Sequence, residues 1–310
     1  MNEFKFSPAP WIPFRDVDEL ERVRNIKKEN IEEHWNPEFK IKVVPNPVAV
    51  FIADCFTRIK ESDEQDKKLV MVFPNPWSKT YKTIGTLINR AGINCRNVHI
   101  FAMDEFADEN GNVAPITYKS GLGHAFKKYF YGSIDEKLRM PENQVHYFTN
   151  ENVNSYSDLI DEVGDGGADV IYAACGWPAH TAFIDPDSEA FRAKTPEEWK
   201  TLTSRFVVNH PLSIAENALF PVFGSSGDVA NVPYCSVTIG PRDIQHARLR
   251  FDIHSFTELD GISSWQRMAS RLAMHGPVSM QIPMSFDQEL RTDVFVSEEI
   301  ANDIVCTDYM

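Results

Sequence analysis

The stretch Ala168-Asp169-Val170-Ile171-Tyr172-Ala173-Ala174-Cys175-Gly176, which runs on into Trp177-Pro178-Ala179-His180-Thr181-Ala182-Phe183-Ile184-Asp185-Pro186, decides the fold. Its first part is a short apolar run without 3.6-residue spacing, bounded upstream by Gly164, Gly166 and Gly167. Such a run predicts a strand buried on both faces. Gly176 and Pro178 break that strand, and the loop beyond it presents an imidazole at His180 and a carboxylate at Asp185. In a parallel α/β sheet, ligands sit beyond the carboxyl ends of the strands, so a site is expected at this loop.

Working upstream, residues 69–73 are a second apolar run, stopped by Pro74-Asn75-Pro76-Trp77-Ser78-Lys79, after which Tyr81, Ile84, Leu87 and Ile88 resume helical spacing. Residues 98–103 predict a third strand, which ends in Asp104-Glu105. Residues 40–44 and 145–148 read as shorter strands, and helices are expected over 48–60, about 117–131 and 154–163. Downstream of Pro186 the pattern loosens: 206–208, 234–239 and 249–253 are strand candidates, 213–219 and 264–275 short helices, and 292–296 a late edge strand. This alternation predicts an α/β fold with an open, mostly parallel sheet and helices on both faces, occupying residues 39–310. Residues 1–38 read as an N-terminal extension, an arm rich in proline followed by a charged helix, which serves as a surface element or an arm of a homo-oligomer.

Composition narrows the function. At 310 residues and 43% hydrophobic content the chain can bury a large core. It has no run of about 18 apolar residues and no basic segment leading into an apolar one, so neither a membrane span nor a signal peptide is expected, and a soluble, cytoplasmic protein is. A formal charge of -14 argues against a nucleic-acid-binding surface, which needs clustered Lys and Arg. Cys55, Cys95, Cys175, Cys235 and Cys306 are odd in number and scattered, and all five read as reduced, small buried hydrophobes.

Three strand ends carry polar or turn-forming clusters, and if the strands are parallel those clusters share one rim. Asp104-Glu105 offers a carboxylate beside apolar walls, which reads equally as a tunable general base or as a cap. His180 with Asp185 reads as a base held by its orienting carboxylate, or as a structural loop histidine. The turn through Asn75, Trp77, Ser78 and Lys79 could hold an anion at a helix N-terminus, but it has no glycine to let a phosphate approach the backbone.

On these residues the chain resembles the glucosamine-6-phosphate deaminase (isomerase) and 6-phosphogluconolactonase family, with gaps, from about residue 40 to about 304. Phe101-Ala102-Met103-Asp104-Glu105-Phe106 resembles the deaminases' Phe-Asn-Met-Asp-Glu-Tyr, and residues 176–186 resemble Gly-Asn-Asp-Gly-His-Ile-Ala-Phe-Asn-Glu-Pro. Residues 115–120, containing Tyr118, stand in place of Glu-Ser-Tyr-Tyr-Ser, and Val237-Thr238-Ile239-Gly240 looks like Leu-Thr-Val-Gly. The resemblance implies that Asp104 shuttles a proton between two sugar carbons and that His180 assists ring opening, with Asp185 in place of a glutamate. It further implies contacts to substrate from Glu105, Tyr118, Gly176 and Lys200, and no metal or other cofactor.

Departures from the family pattern point to an altered substrate. Pro178 and Ala179 replace an Asp and a Gly, the phosphate loop is replaced by residues 74–79, and Glu198 stands where a phosphate-binding Arg is expected. The implied activity is deaminase/isomerase chemistry on a sugar or sugar phosphate. The alternatives are a lactonase and a degenerate sugar-binding or regulatory homologue.

Overall fold

A strand with no polar face must be covered on both sides, and the central strands of this molecule show how that is met. In the computed structural model, which describes residues 6–74, 77–255 and 266–306, ten strands form two sheets. They are β1 (Phe39–Val44), β2 (Leu69–Phe73), β3 (Val98–Ala102), β4 (Asp104–Ala107), β5 (Val145–His146), β6 (Val170–Ala174), β7 (Arg205–Val208), β8 (Cys235–Thr238), β9 (Arg250–His254) and β10 (Thr292–Ser297). Seven of them build a sheet in the order β1-β10-β9-β6-β2-β3-β5, every pair parallel.

Alternate residues of the central strands feed two cores. Met71, Phe73, Ile100, Val170 and Tyr172 pack with Phe51, Cys55 and Ile59 of the helix Pro47–Gln65 and with Tyr81, Ile84 and Ile88 of the helix Ser78–Ala91. Val70, Val72, Phe101, Ile171 and Ala173 face the other way, toward Tyr156 and Ile160 of the helix Tyr156–Val163 and toward the second sheet. The expected fold class is therefore the observed one. No helix among the described residues is long and apolar enough to cross a membrane.

Three expectations need correction. Residues 292–296 form an inner strand and not an edge strand: β10 lies between β1 and β9, with Val294 and Val296 buried on one side and Phe295 stacked on Phe251 on the other. The helix expected from 117 begins only at Leu122, because the Glu105 carboxylate holds its first turn. Cys306 is exposed, whereas the other four cysteines are buried.

Of the strand candidates in the looser C-terminal half, 249–253 and 292–296 join the parallel sheet as β9 and β10, whereas 206–208 and 234–239 pair with β4 in a second, antiparallel sheet, β4-β8-β7. The chain passes from the first sheet to the second at Met103. Its N–H donates to the Phe73 carbonyl (3.0 Å), continuing β3, and its own carbonyl accepts from the Ile239 N–H (3.0 Å), starting β4. Upstream, the helix Val17–Arg24 is capped by Asp16 and tied down by an Arg22 hydrogen bond to the His275 carbonyl.

Candidate active site

β6, β2 and β3 are neighbours, so their carboxyl ends share one rim. A cleft opens there. Trp77 lines it beyond β2, Met103 and Asp104 beyond β3, and Gly176 and His180 beyond β6. The helix Pro211–Asn217 closes it with Glu216 and Asn217.

Asp104 reaches this cleft because Met103 turns the chain out of the first sheet. As the first residue of β4 it pairs with Thr238, and its side chain is buried in the floor. Burial first, and then the nearby charge of Glu105, push its carboxyl up to about 8, against a smaller lowering by His180. A carboxyl so placed exchanges its proton near neutral pH.

His180 Nδ1 lies 2.5 Å from Asp185 Oδ1. Asp185 is itself fixed: Oδ1 accepts from Ser213 Oγ (2.7 Å) and Oδ2 from the His210 backbone N–H (2.6 Å). A carboxylate at that distance assigns the proton to Nδ1 and leaves Nε2 for chemistry. Burial alone would lower the imidazole's pKa, but the charge and hydrogen bond of Asp185, followed by Glu216 and Asp104, raise it above its ordinary value. Asp185 shifts oppositely, its burial being outweighed by His180 and the two donors.

The loop that carries His180 is held in a costly backbone conformation. Ala179 has φ 59° and Ala182 φ 53°, both in the left-handed region that alanine avoids. Gly176 is required for a different reason, close approach. A β-carbon there would lie 2.1 Å from His180 Nε2 and 2.9 Å from Glu216 Oε2, so both atoms face the same point.

Glu216 is the site residue that sequence reasoning missed. Its Oε2 accepts from the Trp177 backbone N–H (3.0 Å) and its Oε1 from Gln266 Nε2 (3.4 Å). Burial pushes it up to about 7, against His180, which lowers it. Local spacing carries little signal for it, because the helix Pro211–Asn217 has 7 residues and Leu219 and Phe220 fall beyond its end.

The remaining residues singled out in the sequence lie elsewhere. Glu105 is buried beneath a helix end, where Oε1 accepts from the Phe106 and Leu122 N–H groups and Oε2 from Gly123 N–H (2.7 Å); burial nevertheless lifts it to about 7. Lys200 pairs with Glu289 at 2.6 Å, and neither it nor half-buried Tyr118 lines the cleft. Ser78 faces an adjoining hollow with Lys119 and Ser120, Lys79 is exposed on the helix Ser78–Ala91, and Asn75 lies outside the described residues. Among the described residues no three His, Cys, Asp or Glu side chains are grouped to hold a metal ion.

Fold and rim together define the class, a parallel α/β protein whose cleft holds separate acid and imidazole groups. No protein-family model matches the chain, and no curated protein is significantly similar to it. Solved structures do share its fold. A monomeric glucosamine-6-phosphate deaminase, described as a missing link of the NagB superfamily, superposes with TM-score 0.66 at 17% identity, over 85% of this chain and 99% of that one. The 6-phosphogluconolactonase from Trypanosoma cruzi gives 0.61 at 15% identity, over 89% and 99%. That from Plasmodium vivax gives 0.58 at 12%, over 90% and 95%. At the level of fold, the neighbours are the two kinds of protein that the motifs resemble.

Proposed function

We propose that the chain is an enzyme of the deaminase/isomerase type, moving a proton at a carbon next to the carbonyl of a sugar or sugar phosphate. The observation that carries this reading is that Asp104 and His180, brought from different strands, line one cleft. Opening a cyclic sugar requires a proton delivered to the ring oxygen and one removed from the anomeric hydroxyl. His180, whose pKa Asp185 raises, supplies the first, and solvent at the mouth of the cleft takes the second. In the opened sugar the Asp104 carboxylate takes the proton from the carbon beside the carbonyl and returns it to the neighbouring carbon. Apolar walls from Met103, Phe183 and Phe220 limit water at that step.

The His180–Asp185 pair also supports a second reading, a lactonase in which the imidazole takes a proton from water attacking a lactone carbonyl. That chemistry has no need of Asp104. Assays of ammonia or ketose release from amino sugars and their phosphates, beside acid release from sugar lactones, separate the two. Ammonia or ketose release that Asp104→Asn abolishes supports the first reading, and acid release that survives the substitution replaces it with the second.

A further inference from the structure

Opening a sugar ring breaks the bond between the anomeric carbon and the ring oxygen, while that carbon gains a double bond to its hydroxyl oxygen. Both oxygens sit on one carbon, so the acid that serves the first and the base that serves the second must stand close together. Beside His180 that neighbour is Glu216. The β-carbon that Gly176 lacks would lie 2.1 Å from His180 Nε2 and 2.9 Å from Glu216 Oε2, so imidazole and carboxyl converge from separate elements on one point. Both line the cleft. The contacts of Glu216 are not those of a capping acid. Glu105, also buried, accepts from three backbone N–H groups and lies outside the cleft. Glu216 accepts from one, that of Trp177 (3.0 Å), and from Gln266 Nε2 at 3.4 Å. Trp177 adjoins Pro178, which stands where the resembled family has an aspartate, so Glu216 brings a carboxyl to a loop that has lost its own.

We infer that Glu216 is a catalytic base of ring opening, the relay by which the anomeric hydroxyl's proton reaches solvent while His180 protonates the ring oxygen. This rests on the reading of the cleft as a sugar site and adds a residue to its chemistry. The bond from the anomeric carbon to the ring oxygen breaks, and its electron pair takes the proton from His180 Nε2. The anomeric O–H pair becomes the second carbon–oxygen bond, and its proton passes to the Glu216 carboxylate and on to water at the mouth of the cleft. Solvent then returns a proton to His180. Burial pushes the Glu216 carboxyl up to about 7, a range in which it takes and releases a proton near neutral pH. The charged groups that face it are His180, which lowers it, and Asp185, which raises it. The adjacent Cys175 thiol, raised well above its ordinary value by burial, stays neutral. The active form therefore has Glu216 ionised and His180 protonated.

Anomer exchange reads ring opening apart from any later step. NMR exchange spectroscopy of the full chain with glucose, glucosamine and their 6-phosphates measures the conversion of α into β anomer above the buffer rate. Wild-type protein is expected to accelerate exchange of at least one of these sugars saturably. Glu216→Gln, which keeps an oxygen for the Trp177 N–H, is expected to slow the catalysed exchange about 100-fold or more while half-saturation by the same sugar stays within about threefold. Added formate is expected to restore exchange to Glu216→Ala, which a merely structural carboxyl would not allow. Should both variants fail to fold, the wild-type pH profile replaces them, and the catalysed rate must fall about tenfold per pH unit below about pH 6 as Glu216 protonates. Wild-type exchange in Glu216→Gln, no formate rescue of folded Glu216→Ala, or a flat wild-type profile overturns the role of Glu216 and leaves the sugar reading in place. Wild-type protein that accelerates none of the four removes both.

Discussion

His180 and Asp185 form the tightest polar contact of the cleft, and its consequence is directional. Asp185 holds the imidazole's Nδ1 proton and raises its pKa, so removing the charge by Asp185→Asn must lower that pKa. The pH at which activity is lost through His180 deprotonation is then expected to move down, with turnover reduced about 100-fold or more, as a pH–rate profile would show. Unchanged profiles would remove the dyad from the mechanism. Asp104 responds to its neighbour in the same sense. Glu105 raises it, so Glu105→Gln is expected to move the Asp104 limb toward lower pH while activity persists.

At the scale of elements, Glu105 on β4 caps the helix Leu122–Tyr129, whose N-terminus has no side-chain cap of its own at Gly121. Glu105→Ala removes the acceptor of three backbone N–H groups and is expected to cost about 1–3 kcal/mol, read from denaturant unfolding. Gly176→Ala tests the turn after β6. Its β-carbon would displace the His180 ring, so turnover is expected to fall about 100-fold or more while the sheet folds normally by circular dichroism. The three parallel strands were legible because each is an apolar run closed by turn residues. The passage at Met103 was not. β4 is four residues long and starts with two acids, and nothing local distinguishes a strand end from a strand that changes sheet. The same limit hid Glu216, whose helix is a single short segment in the looser half of the chain. What brings it to the rim is tertiary packing rather than spacing.

Over the whole molecule, the buried acids make stability depend on pH in a predictable sense. Asp104 is raised to about 8, and Glu105, Glu216 and Asp287 to about 7, chiefly by burial. Their unfolded forms ionise near pH 4, so between that point and the folded value the unfolded chain has lost protons that the native state keeps, and stability falls as pH rises. His180 acts in the same direction above its unfolded pKa, because its folded value is raised. His146 and His275, lowered to about 4, and His254, lowered to about 3, oppose this only below about pH 6.5, where the unfolded rings protonate. From pH 6.5 to 8 nothing in this set compensates, and a loss of roughly 2–4 kcal/mol is expected, seen as a melting temperature several degrees lower at pH 8. A melting temperature that rises over that window would contradict the assigned ionisation states.

The functional account depends on Asp104 taking a proton from carbon. Deuterium entry from D2O into the carbon beside the carbonyl of a bound sugar, followed by NMR, measures that step directly. Wild-type protein is predicted to exchange that hydrogen, and Asp104→Asn to bind the same sugar but exchange it about 100-fold more slowly or worse. Equal exchange by the two proteins, or none by wild-type protein with its sugar bound, would contradict the account.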